Sequence, residues 1–220
     1  PDAEGAVTEA AWERLSALAE ACDVLAIGPG LSQRPQVAAL MRRVLAEARV
    51  PLVLDADALN VLAGQSEALG RSGVPKILTP HPGELARLLD VPTAEVQRDR
   101  LGTAREAARR FDAVVVLKGA RTVTAAPGGE AFIVPTGNPG MASGGMGDVL
   151  TGVIAALVAQ RLPPLTAGWV GAYLHGLAGD LVAEQVGGAG LLAREVADAV
   201  PRARMVVVRG QVPGPIRTLS

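Results

Sequence analysis

Short, uniformly apolar runs alternate along the chain with longer stretches whose apolar residues recur at helical spacing. Four such runs predict buried strands at residues 23–27, 52–54, 76–78 and 113–117. Strands that are apolar on both faces and separated by helices are typical of a parallel sheet covered by helices on each side. The pattern therefore predicts a single α/β domain over residues 1–220.

Helical periodicity and end signals place the remaining elements. Helices are predicted at residues 8–21, 35–48, 58–62, from 84 onward, 93–111, 144–159, 167–185 and 192–199. Residues 122–125 and 131–134 flank Pro127-Gly128-Gly129 and predict an antiparallel hairpin, which we expect at one edge of the sheet. The proline-rich end, residues 211–220, is predicted to be a loose tail.

Composition and charge argue against several classes of protein. The net charge is -1, and there are only two Trp, one Tyr and two Phe. These numbers argue against a surface for nucleic acid or an anionic membrane. Cys22 is the single cysteine and there are two histidines, so a disulfide framework and a protein-held metal centre are not expected. With no membrane-spanning run and no signal peptide at its start, the sequence predicts a soluble, cytoplasmic protein.

Unusual residues follow each predicted strand, where ligands of parallel α/β sheets bind. The strand ends carry Gly28-Pro29-Gly30, Asp55-Ala56-Asp57, Thr79-Pro80-His81 and Lys118-Gly119. In an extended chain Asp55 and Asp57 would face the same side, one capping a helix and the other facing substrate or a magnesium-bound water. We therefore expect the site at this edge of the sheet.

The segment 137–152 is dense in glycine and runs directly into an apolar helix. Glycines allow backbone N–H groups to converge, and a helix N-terminus adds about half a positive charge, so this segment predicts an anion hole for a phosphoryl group. It lacks the Gly-Lys-Ser/Thr ending of a Walker loop. Asp148 stands beside the hole, where a carboxylate can accept a hydroxyl proton during phosphoryl transfer, although it can also be a helix cap.

Further candidates are weaker. His81, fixed between two prolines, is expected to donate to a substrate, while Glu84 is either a site residue or a helix-end carboxylate. Lys118 is predicted to contact a nucleotide, the alternative being a solvated lysine. His175, in the middle of a predicted helix, is expected to be packed and hydrogen-bonded. The other candidate site residues are Asp57, Asn60, Asn138, Gly144 and Gly145.

Together these motifs resemble the NAD(P)H-hydrate dehydratase family, the carboxy-terminal half of bifunctional nicotinamide-nucleotide repair enzymes. The matching runs lie at residues 27–31, 54–60, 78–84, 117–122 and 137–152. The resemblance implies a ribokinase-like fold and ADP-dependent dehydration of the S-epimer of hydrated NADH or NADPH, with magnesium and a homotetrameric assembly. It also implies that a first strand and helix of the family precede the equivalent of Pro1 and are missing here.

Residue roles come from the same resemblance. Asp148 is implied as the catalytic base, and Gly30, His81 and Asp148 as contacts to the hydrated dinucleotide. The implied nucleotide contacts are Lys118, Gly119, Ala120, Arg121, Thr122 and Gly147. Two alternatives stay open: a ribokinase-like kinase of a small molecule such as a vitamin precursor, and a nucleotide-binding module without catalysis.

Overall fold

The strands form where the sequence is most continuously apolar. The computed structural model describes residues 7–211 together with the backbone of residues 217–219. The strands are β1 Leu25–Ile27, β2 Leu52–Leu54, β3 Lys76–Leu78, β4 Val114–Leu117, β5 Val123–Ala125, β6 Ala131–Ile133 and β7 Arg217–Leu219. The predicted strands at 52–54 and 76–78 are confirmed to the residue, and the others differ by one or two residues at their ends.

The seven strands form one sheet in which spatial order follows chain order. Strands β1 to β4 are parallel, with Leu52 opposite both Leu25 and Lys76. Strands β4 to β7 are antiparallel. The predicted parallel sheet and hairpin are both confirmed. The hairpin is not at the sheet edge, however, because β7 pairs with β6 outside it.

Ten helices among the described residues cover the sheet. They are α1 Trp12–Ala19, α2 Pro35–Glu47, α3 Asp57–Asn60, α4 Glu67–Gly70, α5 Pro82–Leu89, α6 Thr93–Arg98, α7 Arg100–Phe111, α8 Met146–Ala159, α9 Pro164–Val186 and α10 Ala193–Val208. Single 3-10 turns lie at Glu9–Ala11 and Pro139–Met141. None of these helices is long and apolar enough to cross a membrane.

Alternate residues of the central strands enter two separate cores, as the pleat requires. Leu52 and Leu54 of β2 pack with α2, α3, α5 and α7 on one face. Val53, between them, packs with α8 and α9 on the other. Helices on both faces are thereby confirmed, and the four parallel strands end on one common edge.

Several predictions about elements are wrong in detail. The helix predicted over 192–199 continues through Pro201 and ends at Val208. The single helix predicted over 93–111 is two helices, because Asp99 leaves helical geometry (φ -138°, ψ 77°) and its Oδ1 accepts from the Gly102 N–H at 2.8 Å. The short helix α4 was not predicted. Of the predicted loose tail, residues 217–219 form β7, while residues 212–216 and 220 lie outside the described residues.

Candidate active site

The ends of the four parallel strands lie against one another. The Thr79 N–H donates to the Leu54 carbonyl at 3.0 Å, and the Lys118 N–H donates to the Pro80 carbonyl at 2.8 Å. Gly28 has φ +145°, and a Cβ there would lie 1.8 Å from the carbonyl oxygen of Asp55. Glycine is thus required for the first strand end to approach the second.

A buried ion-pair network occupies the centre of this edge. The Lys118 Nζ lies 2.6 Å from Asp55 Oδ1 and 3.8 Å from Glu84 Oε2. The Thr151 hydroxyl, on α8, donates to Asp55 Oδ2 at 3.0 Å. Asp55 is 1% exposed. Lys118 is consequently not the solvated lysine of the alternative interpretation, since buried carboxylates hold its ammonium in place.

The glycine-rich segment brings the first turn of α8 to this ammonium. Gly145 has φ +84° at the N-cap, where no side chain caps the helix. A Cβ on Gly147 would lie 3.3 Å from Lys118 Nζ and 3.4 Å from Asp55 Oδ2. Uncapped N–H groups and a fixed cation therefore face the same space, as an anion site requires.

Asp148 and Gly144 are solvent-exposed at the same end of α8. No side-chain hydrogen bond of Asp148 to a described residue is present to make it a cap, and Gly145 stands at the N-cap position itself. Its carboxylate is thus available to a ligand bound beside the helix terminus.

His81 caps α5 with its side chain. Its Nδ1 accepts from the Gly83 N–H at 3.0 Å and from the Glu84 N–H at 3.3 Å, while Glu84 Oε2 accepts from the His81 N–H at 2.7 Å. This reciprocal capping box fixes the ring. Because Nδ1 accepts, the neutral ring carries its proton on Nε2, and the side chain is 51% exposed. Glu84 is a helix-end carboxylate, and its Oε2 also lies 3.8 Å from Lys118 Nζ.

The turn after β4 is braced from behind by Arg100. Its Nη2 donates to the carbonyls of Leu117 and Lys118 at 3.1 and 3.3 Å. Gly119 has φ +137°, and a Cβ there would lie 3.1 Å from the guanidinium. Thr122 closes the turn by donating to the Gly119 carbonyl at 3.1 Å. Ala120 and Arg121 lie exposed at its tip.

Two of the weaker candidate site residues, Asp57 and Asn60, hydrogen-bond to other parts of the chain. Asp57 Oδ2 accepts from the Ser32 N–H at 2.9 Å and thereby fixes the loop that contains exposed Gly30. Asn60 accepts from Arg87 Nη2 at 2.8 Å. Asp55 and Asp57 do not face the same side, because Ala56 between them has φ +47° and ψ -118°.

His175 is buried as predicted, packed behind the first turn of α8. It is 9% exposed and hydrogen-bonds the backbone of Met146, while its Nε2 has no partner among the described residues. Burial, and then the nearby charge of Lys118, lower the pKa of His175 from 6.5 to about 4, against the effect of the Met146 hydrogen bond. The imidazole is therefore neutral near pH 7.

Sequence reasoning singled out Asp55 together with Asp57 but kept only Asp57 among the candidate site residues. It missed Thr151 and Asp180, which the structure places at or behind the site. Thr151 follows Asp148 by one helical turn. Asp180 had no signal at all; Asn138 donates to its Oδ1 at 2.9 Å. No three His, Cys, Asp or Glu residues within the described part of the chain are grouped to hold a metal ion.

Comparison with known proteins identifies the family of this chain. A profile of the NAD(P)H-hydrate dehydratase family matches residues 3–202. The bifunctional NAD(P)H-hydrate repair enzyme of Moorella thermoacetica is 50% identical over 197 residues, covering 90% of this chain and 37% of that protein. The ADP-dependent (S)-NAD(P)H-hydrate dehydratase of Neisseria meningitidis is 49% identical over 152 residues, covering 68% and 51%. The chain thus spans about half or less of the length of these relatives.

Solved structures support the same assignment. The ADP/ATP-dependent NAD(P)H-hydrate dehydratase of Bacillus subtilis, co-crystallised with ATP and Mg²⁺ and soaked with CoA, superposes with a TM-score of 0.74 at 38% identity. The match covers 86% of this chain and 70% of that one. A ribokinase-like superfamily protein is also among the similar structures, which confirms the predicted fold class. The chain belongs to the NAD(P)H-hydrate dehydratase family.

Proposed function

We propose that this chain dehydrates the S-epimer of hydrated NADH or NADPH at the expense of ADP, restoring NAD(P)H and releasing AMP and phosphate. The observation that carries the proposal is the position of Lys118, held by Asp55 and next to Gly147 at the uncapped terminus of α8. Family membership and the activities named for the relatives support it.

The chemistry explains why a dehydration needs a nucleotide. Hydroxide is a poor leaving group, whereas phosphate is a good one. The ring hydroxyl forms an O–P bond to the terminal phosphoryl group of ADP, and the bond from that phosphorus to the oxygen of AMP breaks. The C–O bond then breaks, phosphate leaves with the bonding electrons, and a proton leaves the neighbouring ring carbon to restore the double bond.

The residues divide this work by position. Asp148, exposed beside the terminus of α8, accepts the hydroxyl proton as the oxygen attacks. The N–H groups of the α8 terminus, behind Gly144 and Gly145, stabilise charge on the transferring phosphoryl group together with the Lys118 ammonium. The turn from Lys118 to Thr122 holds the adenosine phosphate. Gly30 and His81 contact the hydrated dinucleotide from the ends of β1 and β3.

Magnesium fits this arrangement as an ion carried by the nucleotide. Mg²⁺ retains several waters and is usually bound by one or two carboxylates plus substrate phosphates. Asp55 and Glu84, the two carboxylates that face Lys118, would lie beside the proposed phosphate position. The ion would neutralise phosphate charge, while Lys118 keeps the two carboxylates in place.

The test is turnover of hydrated NADH with ADP and magnesium. We expect recovery of the NADH absorbance together with equal amounts of AMP and phosphate. Intact NADH in place of its hydrate is the matched control and should yield neither product. Consumption of nucleotide only with another small-molecule acceptor would indicate a kinase, and ADP binding without product under all conditions would indicate a binding module. Either result refutes the proposal.

A further inference from the structure

The segment that leads into the glycine-rich turn lies directly on helix α9. The Thr136 hydroxyl donates to the Tyr173 carbonyl at 2.9 Å. A Cβ on Gly176 would lie 2.5 Å from Thr136 Oγ1, and one on Gly179 would lie 2.2 Å from Met141 Sδ. The two helix glycines therefore leave the space in which residues 136–141 are seated.

A single carboxylate fastens this segment to the helix. Asp180 Oδ2 accepts from the Gly137 N–H and Oδ1 accepts from Asn138 Nδ2, both at 2.9 Å. Asn138 Oδ1 in turn accepts from the Gly140 N–H at 3.0 Å, which caps the 3-10 turn Pro139–Met141. Hydrogen bonds to an ionised carboxylate are stronger than those between neutral groups. One side chain thus holds the backbone at one position directly and at another through Asn138.

The phenol of Tyr173 reports on the same carboxylate. Its hydroxyl is buried and has no hydrogen-bond partner among the described residues. Burial raises the pKa of Tyr173, and the charge of Asp180 raises it further. Tyr173 is the single tyrosine of the chain, so its ionisation can be followed without interference from another phenol.

We propose that Asp180 is a positioning residue for phosphoryl transfer: it fixes residues 137–140 on α9 and so sets the geometry of the anion hole at Gly144–Gly147. This inference rests on the proposed function, since it assigns that hole to the nucleotide phosphates. Only two residues, Ala142 and Ser143, separate Met141 from Gly144, so a shift of the 3-10 turn is passed directly to the hole.

The test compares Asp180→Asn with Glu184→Gln. Glu184 is an exposed carboxylate one turn further along α9 and is the matched control. Asparagine keeps the size of the side chain but removes its charge and one acceptor oxygen. Hydrogen exchange of the free protein should become faster in residues 136–147 of Asp180→Asn alone, and the Tyr173 pKa should fall because the nearby negative charge is lost.

Nucleotide binding and turnover complete the test. Since a hydrogen bond to a charged group corresponds to about one to two orders of magnitude in an equilibrium constant, ADP affinity or kcat should fall by roughly 10- to 100-fold. The melting temperature should change far less than in a core variant. The Asn138→Ala variant should show the same losses, and adding it to Asp180→Asn should cost little more, because both act on one segment.

The outcomes separate this inference from the proposed function. Unchanged exchange in residues 136–147 of Asp180→Asn overturns the inference, and so does faster exchange with wild-type ADP affinity and kcat. Absence of ADP-dependent turnover in the wild type refutes the proposed function. In that case the exchange measurement still decides whether Asp180 holds the segment, and loss of inorganic phosphate binding decides whether it shapes the hole.

Discussion

His175 makes the stability of the folded chain depend on pH in a way that can be calculated. Its pKa is lowered from 6.5 to about 4 by burial and by Lys118. Between these two pH values the unfolded chain binds a proton on this imidazole and the folded chain does not. The free energy of unfolding must therefore fall as the pH is lowered from about 7 to about 4.

The magnitude follows from the size of this difference. One pKa unit corresponds to about 1.36 kcal/mol, so lowering the pKa from 6.5 to about 4 is worth about 3 kcal/mol at pH 7. That is a large share of the 5–15 kcal/mol typical of a folded domain. His175→Gln removes the titrating group, so the difference in unfolding free energy between wild type and variant should change by this amount across the interval.

Urea unfolding at a series of pH values measures the effect. Other groups also titrate in acid, and the comparison with His175→Gln cancels their contribution. The control is His81→Gln, which removes the exposed histidine and should keep the acid-sensitive loss because it retains His175. Nuclear magnetic resonance of the two imidazoles gives the pKa directly, and Lys118→Met should raise the value for His175. The reasoning would be refuted if the unfolding free energies of wild type and His175→Gln changed in parallel with pH, or if the His175 imidazole titrated with a midpoint near 6.5.

Three further predictions concern the site. Asp148→Asn should lower turnover of hydrated NADH by about 100- to 10,000-fold, because asparagine cannot act as a base. The melting temperature should not change, because Asp148 is exposed and caps no helix among the described residues. A wild-type rate would place the base elsewhere. Lys118→Met should lower the free energy of unfolding in urea by about 3–5 kcal/mol, because it leaves Asp55 buried and without its cation. Adding Asp55→Asn should recover most of this loss. A loss under about 1 kcal/mol for Lys118→Met would contradict the prediction. Gly28→Ala should lower the free energy of unfolding by more than about 3 kcal/mol, because its Cβ would overlap a carbonyl oxygen. Gly30→Ala, at φ +75° with open space around it, should lower it by only about 1–2 kcal/mol. Equal losses would show that lack of space is not the cause.

Sequence alone predicted strands β1 to β6 to within two residues, helices on both faces of the sheet, and a common edge where the polar strand ends meet. It did not predict β7. Strand runs such as residues 52–54 are apolar at every position, and only a sheet covered on both faces buries them all. The helix start at Pro35 was also predicted, because proline suits the first turn of a helix. The helix predicted from residue 84 begins two residues earlier, at Pro82. These features depend on residues within about one turn of each other, so they can be predicted from local sequence.

Which side chains meet depends on the tertiary fold and not on the local sequence. Asp55 and Asp57 are both aspartates and lie two positions apart. Because the chain turns at Ala56, Asp55 contacts Lys118 whereas Asp57 contacts Ser32. Thr151 is 96 residues from Asp55, and Asp180 is 43 residues from Gly137. Partners so distant in sequence leave no local pattern. They are brought together by the packing of α8 and α9 on the sheet, where a buried carboxylate is stable only if hydrogen bonds and a cation reach it.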